Sequence, residues 1–257
     1  MSFAGLRVLA FESRRSSEIA ELIRKQGGDP FVAPSMREVP VEPDAQAQRL
    51  FDGEFDMLIL LTGVGTRQLH RLWGDRFVDA LRTLTIVARG PKPVAALRDM
   101  GLAPAITAPE PNTWREILRV TEGRPERRIA VQEYGRPNPE LLEALRARGA
   151  EVAAIRVYRY ALPEDTAPLR EAARSLAAGQ FQVALFTTAV QVVHLARIAR
   201  EEGIEEATLA GLRQCLVGSI GPTTTEALEE FGVPPAFEPS HPKMGILVLE
   251  AARRVAR

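Results

Sequence analysis

The stretch from Ser219 to Leu228 reads Ser-Ile-Gly-Pro-Thr-Thr-Thr-Glu-Ala-Leu, and its residue types suit an anion site. An apolar run, Cys215 to Val217, feeds it and a helical pattern follows, so the spacing predicts a strand, a glycine-bearing turn and a helix start. Gly221 permits a tight turn, Pro222 suits the first helical turn, and Thr223 and Thr224 offer hydroxyls beside the open N–H groups of a helix terminus. A carboxylate or phosphate fits such a turn. An imperfect echo lies upstream, where Leu84 to Ala88 leads into Arg89-Gly90-Pro91-Lys92-Pro93 and another helix. Other chemistries find less support. Cys215 is the sole cysteine, which excludes an intrachain disulfide, and its predicted strand position suits a core residue better than a reactive thiol. His70, His194 and His241 lack the spacing of metal ligands, so no metal is expected.

The elements that must position these residues follow from composition and periodicity. The chain has 257 residues, of which 46% are hydrophobic, enough for one large or two small globular cores. Lys plus Arg equal Asp plus Glu at 33 each, so no net field drives the protein toward nucleic acid or a membrane surface, and any anion site must be local. The N-terminus carries no signal-peptide pattern and no apolar run approaches the roughly 18 residues of a membrane span, which leads to the expectation of a cytoplasmic protein. Strands are predicted at Leu6–Phe11, Pro30–Ala33, Asp56–Leu61, Leu84–Ala88, Ala105–Ile106, Arg128–Val131, Glu151–Ile155 and Gln182–Phe186. Between them fall helices at Ser16–Gln26, Asp44–Asp52, Val64–Trp73, Asp75–Leu81, Thr113–Val120, Pro139–Arg148, Ala167–Ala178 and Ala189–Glu201, with a last one at Lys243–Val255. Alternation of this kind predicts parallel α/β sheets. Pro34 to Pro43 and Arg156 to Pro163 are proline-bounded and extended.

The two halves of the chain match piece by piece. Leu6–Ala10 resembles Arg128–Val131, Asp56–Leu61 with Thr62-Gly63-Val64 resembles Gln182–Phe186 with Thr187-Thr188-Ala189, and Gly90 corresponds to Gly221. Two similar domains are therefore expected, with ligand at the carboxyl ends of their strands and a cleft between them.

Ile220-Gly221-Pro222-Thr223-Thr224 with Ala227-Leu228, together with Leu185-Phe186-Thr187-Thr188, Val157-Tyr158 before Pro163, and Leu60-Leu61-Thr62-Gly63-Val64, resembles the uroporphyrinogen-III synthase family. The resemblance covers nearly the whole chain. It implies two flavodoxin-like, three-layer parallel-sheet domains joined by two extended linkers: residues 1–35 with 164–257 form a discontinuous domain, 44–155 an inserted one, and 36–43 and 156–163 the linkers. Pro93 departs from the family, which commonly has Thr in the first glycine turn, and Arg89 and Lys92 add charge there.

The resemblance further implies a cofactor-independent, cyclising hydro-lyase that acts, as a monomer, on hydroxymethylbilane, a linear tetrapyrrole with eight carboxylates. Loss of its hydroxyl gives an azafulvene cation, ring D closes through its substituted carbon to a spiro-pyrrolenine, and fragmentation and recombination invert that ring on the way to haem, sirohaem and cobalamin. The protein must supply acid help, a fold of the bilane and exclusion of water. Tyr158 maps to the family's linker tyrosine and is the expected proton donor; packing of a linker aromatic is the alternative. Thr62, Gly63 and Val64, Thr187 and Thr188, and Ile220, Gly221, Thr223 and Thr224 would present N–H and hydroxyl groups to acetate and propionate side chains, although helix capping alone also accounts for threonines at such positions. Arg14, Arg89 beside Gly90, Lys92, Arg136 and Lys243 could neutralise carboxylates. Gln132, Tyr134 and Gly135 follow a strand and could wall the same site.

Two other classes compete. A dinucleotide-binding oxidoreductase rests only on Gly63-Val64-Gly65, has Gln68 where a third glycine belongs and lacks the later acidic residue. A tetrapyrrole- or anion-sensing module without turnover is the stronger rival, since one fold can serve both.

Overall fold

The computed structural model of the chain describes residues 2–42, 45–133 and 137–255. In chain order its first elements are β1 (Arg7–Ala10), α1 (Ser16–Lys25), β2 (Asp29–Val32), β3 (Arg37–Pro40), α2 (Ala45–Gln48), β4 (Met57–Leu60), α3 (Gly63–Trp73) and α4 (Asp75–Leu81). Then come β5 (Thr85–Ala88), α5 (Pro91–Asp99), β6 (Ile106–Thr107), α6 (Trp114–Val120), β7 (Arg128–Gln132), α7 (Pro139–Ala147) and β8 (Glu151–Ile155). The remainder is β9 (Tyr158–Ala161), α8 (Ala167–Ala177), β10 (Val183–Phe186), α9 (Ala189–Glu201), α10 (Glu205–Gln214), β11 (Leu216–Ser219), α11 (Pro222–Glu230) and α12 (Met244–Val255).

The chain divides into two compact units, one of Met1–Arg37 with Ala161–Arg257 and the other of Glu38–Tyr160. The first holds a sheet in the order β11-β10-β1-β2, and the second a sheet in the order β6-β5-β4-β7-β8. Every paired neighbour in both sheets is parallel. Beyond β11, Gly218 forms one further parallel bridge, with Phe237. Reading β1, β2, β10 and β11 as the counterparts of β7, β8, β4 and β5 makes the two spatial orders the same, with the Phe237 bridge in the place of β6. The repeat visible in sequence is thus one sheet built twice, entered at a different strand each time.

Parallel strands are covered on both faces, which is why β4 reads Met-Leu-Ile-Leu with all four residues buried. Alternation sends Leu58 and Leu60 to one core with Leu69, Phe77 and Leu97, and Met57, Ile59 and Leu61 to the other with Ile117, Leu141 and Leu145. The first unit does the same: Leu9 and Phe186 meet α8 to α11, whereas Val8 and Leu185 meet α1 and α12. Each such side chain contributes about 1.5–3 kcal/mol of burial. Local signals set the helix ends. Gly27 takes φ 70 after α1, Thr113 forms a capping box with Glu116 at α6, and Asn138 Oδ1 accepts from Leu141 N at 3.0 Å with Pro139 at the first turn of α7. At the amino ends of the central strands, the Asp56 carboxylate accepts from Arg128 N at 3.0 Å and from its guanidinium, tying β4 to β7.

Several sequence expectations need correction. The helix expected over Asp44–Asp52 is only the single turn of α2 and then irregular, with Asp44 outside the described residues. Between α9 and β11 stands α10, which periodicity missed; its acidic start, Glu205-Glu206, reads as loop, yet Leu209 and Leu212 are buried. Cys215 lies one residue ahead of β11 as the cap of α10 and is half-buried, its thiol bonded to Phe181 O and Gly211 O, and burial pushes it up to about 11. The proline-bounded segments are extended, but each contains a strand, and β3 and β9 pair with one another. No helix among the described residues is long and apolar enough to cross a membrane.

Candidate functional site

In the second unit the carboxyl ends of β4, β5 and β7 bring several of the expected residues together. Thr62 caps α3, its Oγ1 accepting from Gly65 N at 3.0 Å. Fully buried Gln132, at the end of β7, accepts the Thr62 N–H on its Oε1 at 3.2 Å. The phenol of Tyr158 lies 3.1 Å from Thr62 Oγ1, so two hydroxyls stand in contact at the strand ends. Tyr158, expected in a linker, is 3% exposed, packs edge-on to Tyr160 and belongs to the core cluster that includes Leu69 of α3. Pairing of β9 with β3 draws it in.

The glycines here answer to space rather than to dihedral freedom. A Cβ on Gly63 would stand 2.5 Å from the backbone O of Lys92, and one on Gly65 would stand 2.1 Å from Gln132 Nε2. These contacts bring the turn ahead of α3 against that of Gly90 and Lys92, and they account for Gly63-Val64-Gly65 without a dinucleotide. Arg89 is half-buried, Gly90 is buried and Lys92 is exposed, while Pro93 is buried within the first turn of α5. A cavity of about 300 Å³ is lined by Tyr158, Pro40 and Glu38 and by Val64, Arg67, Gln68 and Arg71 of α3. Sequence reading named neither arginine.

In the first unit the turn that opens α11 departs from expectation. Gly221 has φ 166, an extended backbone open to any residue, and a Cβ there would meet nothing within 4 Å. Neither the turn nor packing requires glycine, so the residue leaves empty space in front of the helix start. Of the threonines, Thr223 is exposed and Thr224 is buried with its N–H on Gly221 O at 2.9 Å. The engaged hydroxyl belongs instead to Thr225, which donates to Glu238 and contacts Ser219 Oγ at 2.9 Å. Half-buried Ile220 packs against the core on the α1 and α12 face. Nearby, Thr187 donates to Glu12 Oε2 at 2.6 Å, and Thr188 caps α9 in a box with Gln191. Glu12 was missed because its partner lies 175 residues away in sequence. Arg14 and Lys243 are exposed, ahead of α1 and α12. Tyr134, Gly135 and Arg136 lie outside the described residues.

The two units solve one problem in two ways. Gln191, third residue of α9, accepts the N–H groups of Thr187 and Thr188 at 2.7 and 3.3 Å. Its counterpart in α3 is Gly65, and there the accepting amide comes from Gln132 on the strand. Where the strand supplies the amide the helix must be glycine, because both cannot occupy the space. At the strand end corresponding to Gln132 the first unit places Phe11, stacked on Phe186 at 4.7 Å.

Among the described residues no three His, Cys, Asp or Glu side chains come together as metal ligands. His194 is buried, with Nδ1 2.7 Å from Ser35 O, and burial first of all lowers its pKa.

A parallel α/β sheet built twice, with hydroxyl- and amide-lined turns at its strand ends, defines a two-unit α/β protein. The family model described as uroporphyrinogen-III synthase HemD matches residues 17–248, and the chain belongs to that family. A mutant uroporphyrinogen III synthase from the extremely thermophilic bacterium Thermus thermophilus aligns with TM-score 0.77 and 27% identity over 98% of this chain and 99% of that one. The uroporphyrinogen-III synthetase of Helicobacter pylori 26695, at 18% identity and TM-score 0.53 over 98% of both chains, shares the fold. The uncharacterized protein YjjA of Bacillus subtilis (strain 168) is 30% identical over 97% of this chain and 96% of its own.

Proposed function

We propose that the protein cyclises hydroxymethylbilane to uroporphyrinogen III, inverting ring D through a spiro-pyrrolenine, without cofactor. The observation that carries this reading is the contact of Tyr158 and Thr62 hydroxyls at the strand ends of the second unit. Thr62 Oγ1 already accepts from Gly65 N, so its own proton can go to Tyr158 Oη, which puts the phenol in the donor role toward the leaving hydroxyl of the bilane. Tyrosine suits this step because it donates while neutral, in a wall too dry to hold a charge cheaply. Expulsion of water is driven by the pyrrole nitrogen, so the acid need only be placed and modest. Turn N–H groups and the open space at Gly221 would take carboxylate side chains, with Arg14, Arg89, Lys92 and Lys243 as countercharges.

The test is product identity. Incubated with hydroxymethylbilane, without metal or nucleotide, the protein should give mainly the type III isomer, read after oxidation to porphyrins and chromatographic separation. Only the type I isomer, at the rate in buffer, would refute turnover and favour a tetrapyrrole sensor of the same fold.

A further inference from the structure

The cavity of the second unit contains a polar face that the strand-end turns do not explain. Val64, Arg67, Gln68 and Arg71 recur at i, i+3, i+4 and i+7 of α3, one face of the helix, and all four line the cavity. Two arginines four residues apart weaken an isolated helix, so helix stability gives no reason for the spacing. Neither guanidinium is committed to a strong partner. Arg67 Nη2 donates to Asp99 at 2.9 Å in a pair whose side chains are 49% and 54% exposed, which water can readily replace, and Arg71 donates to neutral Gln68 at 3.1 Å. Arg67 is also folded over the turn ahead of α3, its Nη1 being 3.2 Å from where a Cβ on Gly63 would stand. Tyr158 and Pro40 complete the lining with Val64, and among the lining charges Arg67 and Arg71 outnumber Glu38 by one. An apolar wall, a forked cationic rim and a volume of about 300 Å³ fit a small flat ring bearing carboxylates rather than a phosphate chain.

We infer that this cavity seats one pyrrole ring of the substrate, and that Arg67 and Arg71 are positioning residues that clamp the ring's acetate and propionate carboxylates beside the Tyr158 phenol. The inference rests on the proposed bilane substrate for its choice of ring. Arg67 would exchange Asp99 for the carboxylate, a replacement of one half-exposed ion pair by a more enclosed one.

Arg67→Gln, Arg71→Gln and the double variant, with Arg82→Gln as a matched loss of surface charge, should be assayed with hydroxymethylbilane and melted alongside the wild type. Each single change should raise KM about tenfold and the double change more, kcat and melting temperature should move little, and Arg67→Lys should recover part of the loss. Arg82→Gln should match wild type. Independently of turnover, saturation-transfer NMR should detect porphobilinogen, a monopyrrole with one acetate and one propionate, on the wild type and lose it on the double variant. Turnover with unchanged KM in the double variant overturns the clamp and leaves the enzyme reading standing. Arginine-dependent binding of the monopyrrole without type III formation supports the clamp and removes the enzyme reading. Absence of both turnover and monopyrrole binding overturns the clamp as well.

Discussion

Tyr158→Phe removes one hydroxyl from a buried wall and leaves the ring in place. Part of its structural cost follows from the contact the hydroxyl makes with Thr62. The contact with Thr62 Oγ1, 3.1 Å long, is one neutral hydrogen bond worth about 1 kcal/mol net. Thr62 keeps its bond from Gly65 N and is half-exposed, so water can satisfy the proton it loses. Packing against Tyr160, at 5.5 Å between ring centroids, survives. A fall in melting temperature of about 2–4 °C is expected for this loss in a chain of this size. Catalysis should suffer more. General acid help is worth about 10² to 10⁴ in rate, and the low end, about 2.7 kcal/mol of barrier, is expected because pyrrole already expels the hydroxyl electronically. Isomer ratio should hold, being set by the fold of the bilane rather than by the acid. Single-turnover rate, type III to type I ratio and melting temperature should be measured on one preparation, with Tyr158→Ala as contrast, where the lost ring should cost about 3–5 kcal/mol of stability. A wild-type rate with the small melting shift would refute the argument and return Tyr158 to packing.

Other expectations follow from the same geometry. Gly63→Ala should cost about 2 kcal/mol or more, since the Lys92 carbonyl it meets at 2.5 Å is backbone, whereas Gly221→Ala, with nothing within 4 Å, should leave the melting temperature within about 2 °C and instead raise KM. The Arg128 guanidinium holds the Asp56 carboxyl down to about 2 from its ordinary 3.8, so this contribution is present above pH 3.8 and lost as pH falls toward 2. With side chains 32% and 48% exposed, screening reduces it to about 1 kcal/mol; Asp56→Asn should be destabilised by that much at pH 7 in urea melts and match wild type near pH 2, and an equal deficit at both would disprove the linkage. Residues 38–160 should fold alone with a cooperative melt, the shorter 44–155 should melt lower for want of Val157 and Tyr158, and 1–126 should aggregate because it strands β4 without β7. Finally, Gln132→Phe leaves the Thr62 N–H without its acceptor and Gly65→Gln collides with Gln132, but the two together copy the first unit; double-mutant analysis should find at least about 1 kcal/mol of favourable coupling, and additive losses would refute the equivalence.

Sequence carried the sheets well because strands covered on both faces leave apolar runs such as Met57–Leu60, and because the sheet is built twice, so each run had a counterpart. What it could not carry were facts created by distant pairing. Tyr158 precedes Pro163 and reads as linker, yet it belongs to a core cluster that holds residues of α3 and α4, and its hydroxyl partner is 96 positions away. The Glu12 to Thr187 bond and the Arg67 and Arg71 face likewise depend on which elements pack beside them. Gly221 was read for its freedom of turn, whereas its dihedral is ordinary and the open space is the informative feature. In Gly63 and Gly65 the opposite holds, for there close approach alone demands glycine.

The doubled sheet also shows how one scaffold acquires unlike ends. In the first unit the capping amide belongs to α9, which frees the strand end to be Phe11, and the adjoining Thr187 hydroxyl is spent on the Glu12 carboxylate. That turn therefore presents an acceptor. In the second unit the amide moved to Gln132 on the strand, which obliges Gly65, brings α3 close, and leaves the Thr62 hydroxyl facing a phenol instead of a carboxylate. Here the turn presents donors, and the arginines of α3 extend them along one face. Where the glutamine sits therefore fixes whether the helix or the strand answers the turn N–H, since each such group must be answered and the space admits only one amide.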